Sequence, residues 1–275
     1  MSLVVFTAFV GYFVGLSDNT DPLNPILATI GIFAIAIGAG ASGALNQWYE
    51  RDIDTIMERT RNRPIPSKKI EPSEALTFGI ILSFISVIIL GLAVNWFSAS
   101  LLAFTIIFYA FIYTVLLKRS TIQNIVIGGA SGAFPPVIGY SLIDGNISIE
   151  PLILFGIIFL WTPPHFWALA LLRQNEYKLA NIPMLPVVYG EKITRKYILY
   201  YVLLLIPFSL LPFALGYSSL VYFSASILLG FEFLRRTHSL MKVKTNAEKK
   251  LFLFSITYLF LLFLSICLDK FYQNF

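Results

Sequence analysis

Nine apolar runs, at about residues 1–16, 24–45, 74–94, 98–117, 122–142, 150–172, 196–215, 218–234 and 250–268, alternate with polar tracts along the chain. A helix crosses the hydrocarbon of a bilayer in about 17–25 residues, which is the length of these runs. They are too long, and too unlike alternating ten-residue segments, for the strands of a membrane barrel. The pattern predicts an all-α integral membrane protein with nine transmembrane helices in a single domain over residues 1–275. Short connections at 95–98 and 216–219 predict antiparallel neighbours on either side. Pro163 and Pro164 sit inside the 150–172 run and predict a kink or a break there.

Composition agrees. The chain is 57% hydrophobic and 13% charged, about half the charge of a soluble domain. Charge also sets an orientation. Of the 20 Lys and Arg residues, only Lys270 lies outside or away from the segments 46–73, 118–121, 173–196 and 235–250. Those are alternate connections in a nine-span arrangement. The opposite ones carry acids, namely Asp18, Asp21, Asp144 and Glu150. The positive-inside rule then puts the N-terminus and the basic connections in the cytoplasm and the C-terminus outside. The net charge of +5 therefore reports topology and contact with lipid. It does not point to nucleic acid, because no basic stripe with aromatic platforms accompanies it. The first run starts at once, without a cleavable leader or an Arg-rich transit segment, which favours a prokaryotic cell (plasma) membrane. Cys267 is alone, so disulfides and a cysteine metal cluster are excluded.

Chemistry concentrates in three polar segments. In the first, NQWYERDIDTIMERTRNRP, Asn46, Glu50 and Asp54 recur every four residues and share one helical face. Arg59, Arg61 and Arg63 follow directly. Two carboxylates and an amide beside guanidiniums suit Mg²⁺ holding a polyanion such as diphosphate, since Mg²⁺ takes one or two carboxylates and completes its shell with water and phosphate oxygens. The arginines would clamp the remaining phosphate charge in forked geometry. In the second segment, Lys118 and Arg119 form a further phosphate clamp, with Gln123 and Asn124 as polar groups in the same layer. A snorkelling anchor is the plainer reading of that pair. In the third, WTPPHFWALALLRQNEYKLANIPMLPVVYG, His165 lies between Trp161 and Trp167. Arg173, Glu176, Tyr177 and Lys178 then form a polar cluster that would complete a binding mouth with the first. A buried histidine beside two prolines also serves simply as a packing residue.

These motifs, in this order, resemble the heme O synthases of the UbiA prenyltransferase superfamily. The resemblance rests on NxxxExxxD with RTRNRP, KRSTIQNIVIGGASGAFPP, WTPPHFWALALLR and IPMLPVV, and it spans about residues 5–268. It implies nine helices around a central cavity, capped on the cytoplasmic side by 46–73, 118–121 and 173–196. It implies transfer of a farnesyl group from farnesyl diphosphate to a vinyl group of heme B, with addition of water, giving heme O and diphosphate. Mg²⁺ would be the cofactor, heme B the substrate, and a heme A synthase a possible partner. Asn46, Glu50 and Asp54 match the metal–diphosphate motif, with Arg63, Lys118 and Arg119 on the phosphate side. His165 is expected to orient heme, by iron ligation or by a propionate hydrogen bond. Trp48, Tyr49, Tyr109, Phe134 and Phe166 are aromatic candidates for shielding an allylic cation. The second Asp-rich motif of quinone-type members is absent, and Arg173, Glu176 and Tyr177 stand in its place. The polar lead-in usual before the first helix is also missing. The alternative acceptors are a quinone precursor or a chlorin.

Overall fold

The computed structural model describes residues 2–18 and 23–274. Met1, Asp21 and the side chain of Asp18, parts of the first apolar run and of the acidic connection after it, lie outside the described residues. Among those described, all regular structure is helical. The first half comprises α1 (Ser2–Asp18), α2 (Pro25–Tyr49), the short α3 (Arg51–Ile56), α4 (Pro72–Ala93), α5 (Trp96–Ile107), α6 (Asn124–Ala133) and α7 (Pro135–Ser141). A π-helical stretch, Phe108–Leu117, continues α5. The second half comprises α8 (Ile149–Leu172), α9 (Gln174–Leu179), α10 (Leu185–Val188), α11 (Gly190–Phe208), α12 (Leu211–Ala214), α13 (Leu220–Met241) and α14 (Ala247–Asn274).

Among the described residues, six stretches are both long enough and apolar enough to cross a bilayer: Pro25–Tyr49, Pro72–Ala93, Trp96–Leu117, Ile149–Leu172, Gly190–Ala214 and Ala247–Tyr272. They make this an integral membrane protein. The other three expected spans fall short for different reasons. The apolar part of α1, Ser2–Ser17, is shorter, and the 122–142 run is divided between α6 and α7. The α13 helix is long enough but carries Glu232, Arg235 and Arg236 in its second half. Large apolar side chains such as Phe84, Leu92, Leu228 and Phe231 stand exposed, as lipid-facing positions do.

Local chemistry starts the helices. The Asn24 side chain accepts from Ile26 N at 2.9 Å, and Pro25 follows in the first turn of α2. Asn95 accepts from Ser98 N at 2.8 Å to start α5, and its amide donates to the Ser141 carbonyl at 3.0 Å, tying that turn to the end of α7. The two proline pairs behave differently. Helix α8 runs unbroken through Pro163 and Pro164, whereas the α6–α7 break falls at Phe134, just before Pro135 and Pro136. Each pair removes two amide donors from the ladder. In α8 the lost bonds are offset by packing, because most of the helix is buried against α6, α11 and α14. The run before Pro135 is rich in glycine (Gly128, Gly129, Gly132), which holds a helix weakly.

Helices α1 and α7 cross almost backbone to backbone. A Cβ on Gly11 would lie 1.9 Å from the Pro136 carbonyl oxygen, and one on Gly139 would lie 1.9 Å from that of Ala8. Small residues permit such approaches between helices in lipid. Gly139→Ala is therefore expected to destabilise the protein by about 1–3 kcal/mol. Thermal unfolding of the detergent-solubilised variant measures this, and an unchanged midpoint would contradict the contact.

Buried apolar side chains form two clusters. One involves mainly α8, α11, α13 and α14, and the other α1, α2, α4, α5 and α7. A cavity lined by side chains of both takes up part of the interior.

Candidate active site

The cavity has a volume of about 510 Å³ and a wall that is mostly hydrocarbon and aromatic. Its charged groups gather at one end. Asn46, Glu50 and Asp54 come from the α2–α3 joint, Arg59 and Arg63 from the segment after it, and Lys118 from the end of the π-helical stretch. Although α2 ends at Tyr49, the four-residue register survives the joint. Glu50 N donates to the Asn46 carbonyl at 2.9 Å and Asp54 N to the Glu50 carbonyl at 2.8 Å, so the helical ladder continues and the three side chains keep one face.

Both carboxylates are almost wholly buried, and each meets a cation. Glu50 Oε2 accepts from Lys118 Nζ at 2.5 Å. Arg63 Nη1 donates to Asp54 Oδ1 at 3.1 Å and Oδ2 at 2.9 Å. Asn46 Nδ2 donates to Thr114 Oγ1 at 3.2 Å, and the Thr114 hydroxyl donates to the Tyr109 carbonyl at 2.9 Å. Burying charge is costly unless it is paired, and these pairs meet that requirement only in part. Glu50 Oε1 is buried without a hydrogen-bond partner. Arg59, exposed at the rim, has no carboxylate partner among the described residues.

That donor set fits Mg²⁺ chemically. Asn46, Glu50 and Asp54 offer hard oxygens, and the orphaned Glu50 Oε1 is an acceptor that a cation would satisfy. Among the described residues, no three His, Cys, Asp or Glu side chains converge as a preformed metal cluster. A cation held here therefore needs oxygens from water and from a phosphate group to complete its shell.

The π-helical stretch supplies two residues to this wall. Tyr109 and Tyr113 line the cavity, with ring centroids 5.4 Å apart, and Lys118 Nζ lies 5.8 Å from the Tyr113 ring centroid. The Tyr113 ring rests on Gly128 of α6, where a Cβ would come within 2.1 Å of it. Tyr177 closes the same end from α9, and burial pushes its phenol above the usual range, keeping it a neutral donor. The sequence carries no signal for Tyr113 and Thr114, because the π-helix that turns them inward leaves no periodic trace.

The remaining expected site residues are divided. Trp161, His165 and Phe166 line the apolar part of the cavity. Asn124 does not line it; its amide donates to the Lys118 carbonyl at 3.2 Å and braces that turn from behind. Arg119 faces away and grips Asp52 with two bonds of 2.7 and 2.8 Å, holding that carboxyl below the usual carboxylate range. It shares an outer groove with Trp48, Tyr49 and Arg51, so the two aromatic residues expected at the cation lie outside the cavity as well. Phe134 packs edge-on against Phe104 and Phe155 and is not on the wall. Arg173 pairs with Glu176 at 2.7 Å and reaches Glu58 at 3.6 Å. Arg173 and Glu176 thus tie α9 to the segment after α3 at the mouth without lining the cavity.

An apolar chamber inside membrane helices, closed at one end by buried carboxylates and basic side chains, is a site for an amphiphile with an anionic head. The chain belongs to the UbiA prenyltransferase family, whose model matches residues 4–265. Among its relatives, the protoheme IX farnesyltransferase 2 of Mesorhizobium japonicum is 52% identical over 98% of this chain and 86% of its own length. The protoheme IX farnesyltransferase of Rhizobium johnstonii is 53% identical with the same coverage. The fold is shared with a solved digeranylgeranylglyceryl phosphate synthase, at TM-score 0.78 and 19% identity over 97% of this chain and 92% of that one. It is shared too with a UbiA homolog from Archaeoglobus fulgidus bound to DMAPP and Mg²⁺, at TM-score 0.65 and 16% identity over 96% of each chain.

Proposed function

We propose that this prenyltransferase moves the farnesyl group of farnesyl diphosphate to a vinyl group of heme B, with addition of water, giving heme O and diphosphate. The observation that carries this reading is the single cavity joining the Asn46–Glu50–Asp54 end to an apolar wall containing Trp161, His165 and Phe166. The relatives named protoheme IX farnesyltransferase, matching nearly the whole chain, support the choice of donor and acceptor.

Lys118, Arg59 and Arg63 would hold the diphosphate, and Asn46, Glu50 and Asp54 would hold Mg²⁺. When bound, Mg²⁺ supplies neutralisation of the negative charge that grows on the leaving group. Lys118 and Arg63, which pair with Glu50 and Asp54, would turn their charge on the phosphate oxygens of a bound diphosphate. The C1–O bond of the donor breaks, and its electron pair leaves with diphosphate. The vinyl π pair of heme forms the new bond to C1, water adds to the cation left beside the ring, and one proton is lost. Tyr109, Tyr113 and Phe166 shield the allylic cation from solvent, each ring contact contributing roughly 0.5–2 kcal/mol.

In this reading α1, α6 with α7, and α13 cross the membrane together with the six long apolar stretches, giving nine spans in one domain. The cap formed by 46–73, 118–121 and 173–196 faces the cytoplasm of a cell (plasma) membrane, and the C-terminus lies outside. The charge bias of the connections supports that orientation. A heme A synthase is a fitting neighbour, since such an enzyme would consume the product. Single cysteines introduced at Lys68 and at Asn146 test the orientation. Only the second is expected to react with an impermeant maleimide added to intact cells; labelling of the first alone would reverse it.

The acceptor is tested by offering the purified protein farnesyl diphosphate and Mg²⁺ with heme B, a chlorin or an aromatic quinone precursor in parallel. Prenylation of heme alone is expected. Prenylation of the quinone precursor alone would overturn the acceptor and leave the family unchanged.

A further inference from the structure

His165 is held in a way that fixes which of its nitrogens carries the proton. Its ring is sandwiched between Trp161, with centroids 4.4 Å apart at 17°, and Phe252, 4.8 Å apart at 23°. Both faces are covered, so only an edge is free to meet a ligand. Nδ1 lies 2.7 Å from Ser255 Oγ on α14. That hydroxyl also lies 2.6 Å from the Phe252 carbonyl oxygen, to which it donates. A hydroxyl has one proton and a carbonyl has none. With the Ser255 proton committed to Phe252, the bond to His165 is made by Nδ1–H, and Ser255 accepts it.

A neutral imidazole with its proton on Nδ1 presents a bare lone pair at Nε2. No carboxylate is paired with the ring among the described residues, so nothing there favours the doubly protonated form. Among the described residues Nε2 takes no hydrogen-bond partner, and His165 lines the cavity. Trp161 Nε1 donates to the Ser255 carbonyl at 2.7 Å, so one residue of α14 pins both rings of α8. An Nε2 without a proton cannot donate to a propionate. It can accept a hydrogen bond or bind a metal, and histidines that bind metals commonly fix their tautomer in this way, by donating the other ring N–H to a neighbour.

We infer that His165 Nε2 is the axial ligand to the iron of the heme substrate, with Ser255 as the residue that positions it. The inference rests on heme as the acceptor and settles between the two roles that the sequence left open for this histidine. Iron ligation at a fixed ring edge gives the macrocycle a set height in the cavity while leaving its vinyl edge free.

The test uses the full chain in detergent with ferrous heme B and no farnesyl diphosphate. Exposed His238, at the end of α13, is replaced by Gln so that His165 is the one remaining histidine. Resonance Raman spectroscopy should show an iron–nitrogen band that shifts when the protein is labelled with ¹⁵N-histidine. The band should vanish in His165→Gly and return on adding imidazole, which also shows that the variant is folded. Ser255→Ala should weaken heme binding by about tenfold or more, and Ser255→Thr should largely restore it. A band insensitive to the label, or unchanged in His165→Gly, would overturn the ligation. If a parallel assay of the same variant with farnesyl diphosphate and Mg²⁺ still gave heme O, farnesyl transfer would stand without the ligation. Absence of both heme binding and heme O would overturn ligand and acceptor together.

Discussion

Asp54→Asn is expected to lower farnesyl transfer by about 10³-fold or more, with membrane insertion and detergent behaviour unchanged. The substitution keeps the volume and removes the charge that Arg63 Nη1 holds through both carboxylate oxygens. It leaves Glu50 as the sole carboxylate on the face shared with Asn46, which halves the charge offered to a divalent cation. The loss should appear as a fall in kcat that no Mg²⁺ concentration recovers. Turnover close to wild type at any Mg²⁺ concentration would remove Asp54 from the metal site.

Lys118→Ala should damage both activity and stability, by separable routes. Its ammonium neutralises the buried Glu50 carboxylate, and removing one partner of a buried pair costs about 3–5 kcal/mol. It is also a cation at the diphosphate end, where loss of one such group costs about 10²–10³ in rate. The double variant Lys118→Ala with Glu50→Gln removes the stranded charge, so thermal stability should return most of the way while activity stays low. Full recovery of activity in the double variant would remove both Lys118 and Glu50 from the diphosphate and metal site.

What the sequence made legible follows from the physics of each signal. The spacing of Asn46, Glu50 and Asp54 survives because a helical ladder carries it through the joint at Glu50. Charge next to apolar runs marked Arg59, Arg63 and Lys118 because burying charge in lipid demands a reason. Side-chain direction at chain reversals was not legible. Lys118 and Arg119 are neighbours, yet one reaches Glu50 inside the cavity and the other Asp52 outside it. Arg173 and Glu176 satisfy each other at the mouth for the same reason, a rotation that composition does not encode. The π-helix at Phe108–Leu117 changes the period of that segment, so Tyr113 and Thr114 face inward without any repeat to announce it. The two Pro-Pro pairs are both buried, yet Pro163 and Pro164 stay inside α8 while the chain breaks at Phe134 before Pro135, where the glycine-rich α6 holds a helix weakly.

In this reading one cavity ionises an allylic diphosphate and delivers the carbon chain to heme, with water added. The most direct measurement is mass spectrometry of the product formed from heme B, farnesyl diphosphate and Mg²⁺ in water enriched in ¹⁸O. A product carrying one farnesyl group and one labelled oxygen on heme, and absent when EDTA is added, is the predicted result. A farnesylated heme without the label, a product formed equally well in EDTA, or unmodified heme would contradict the account.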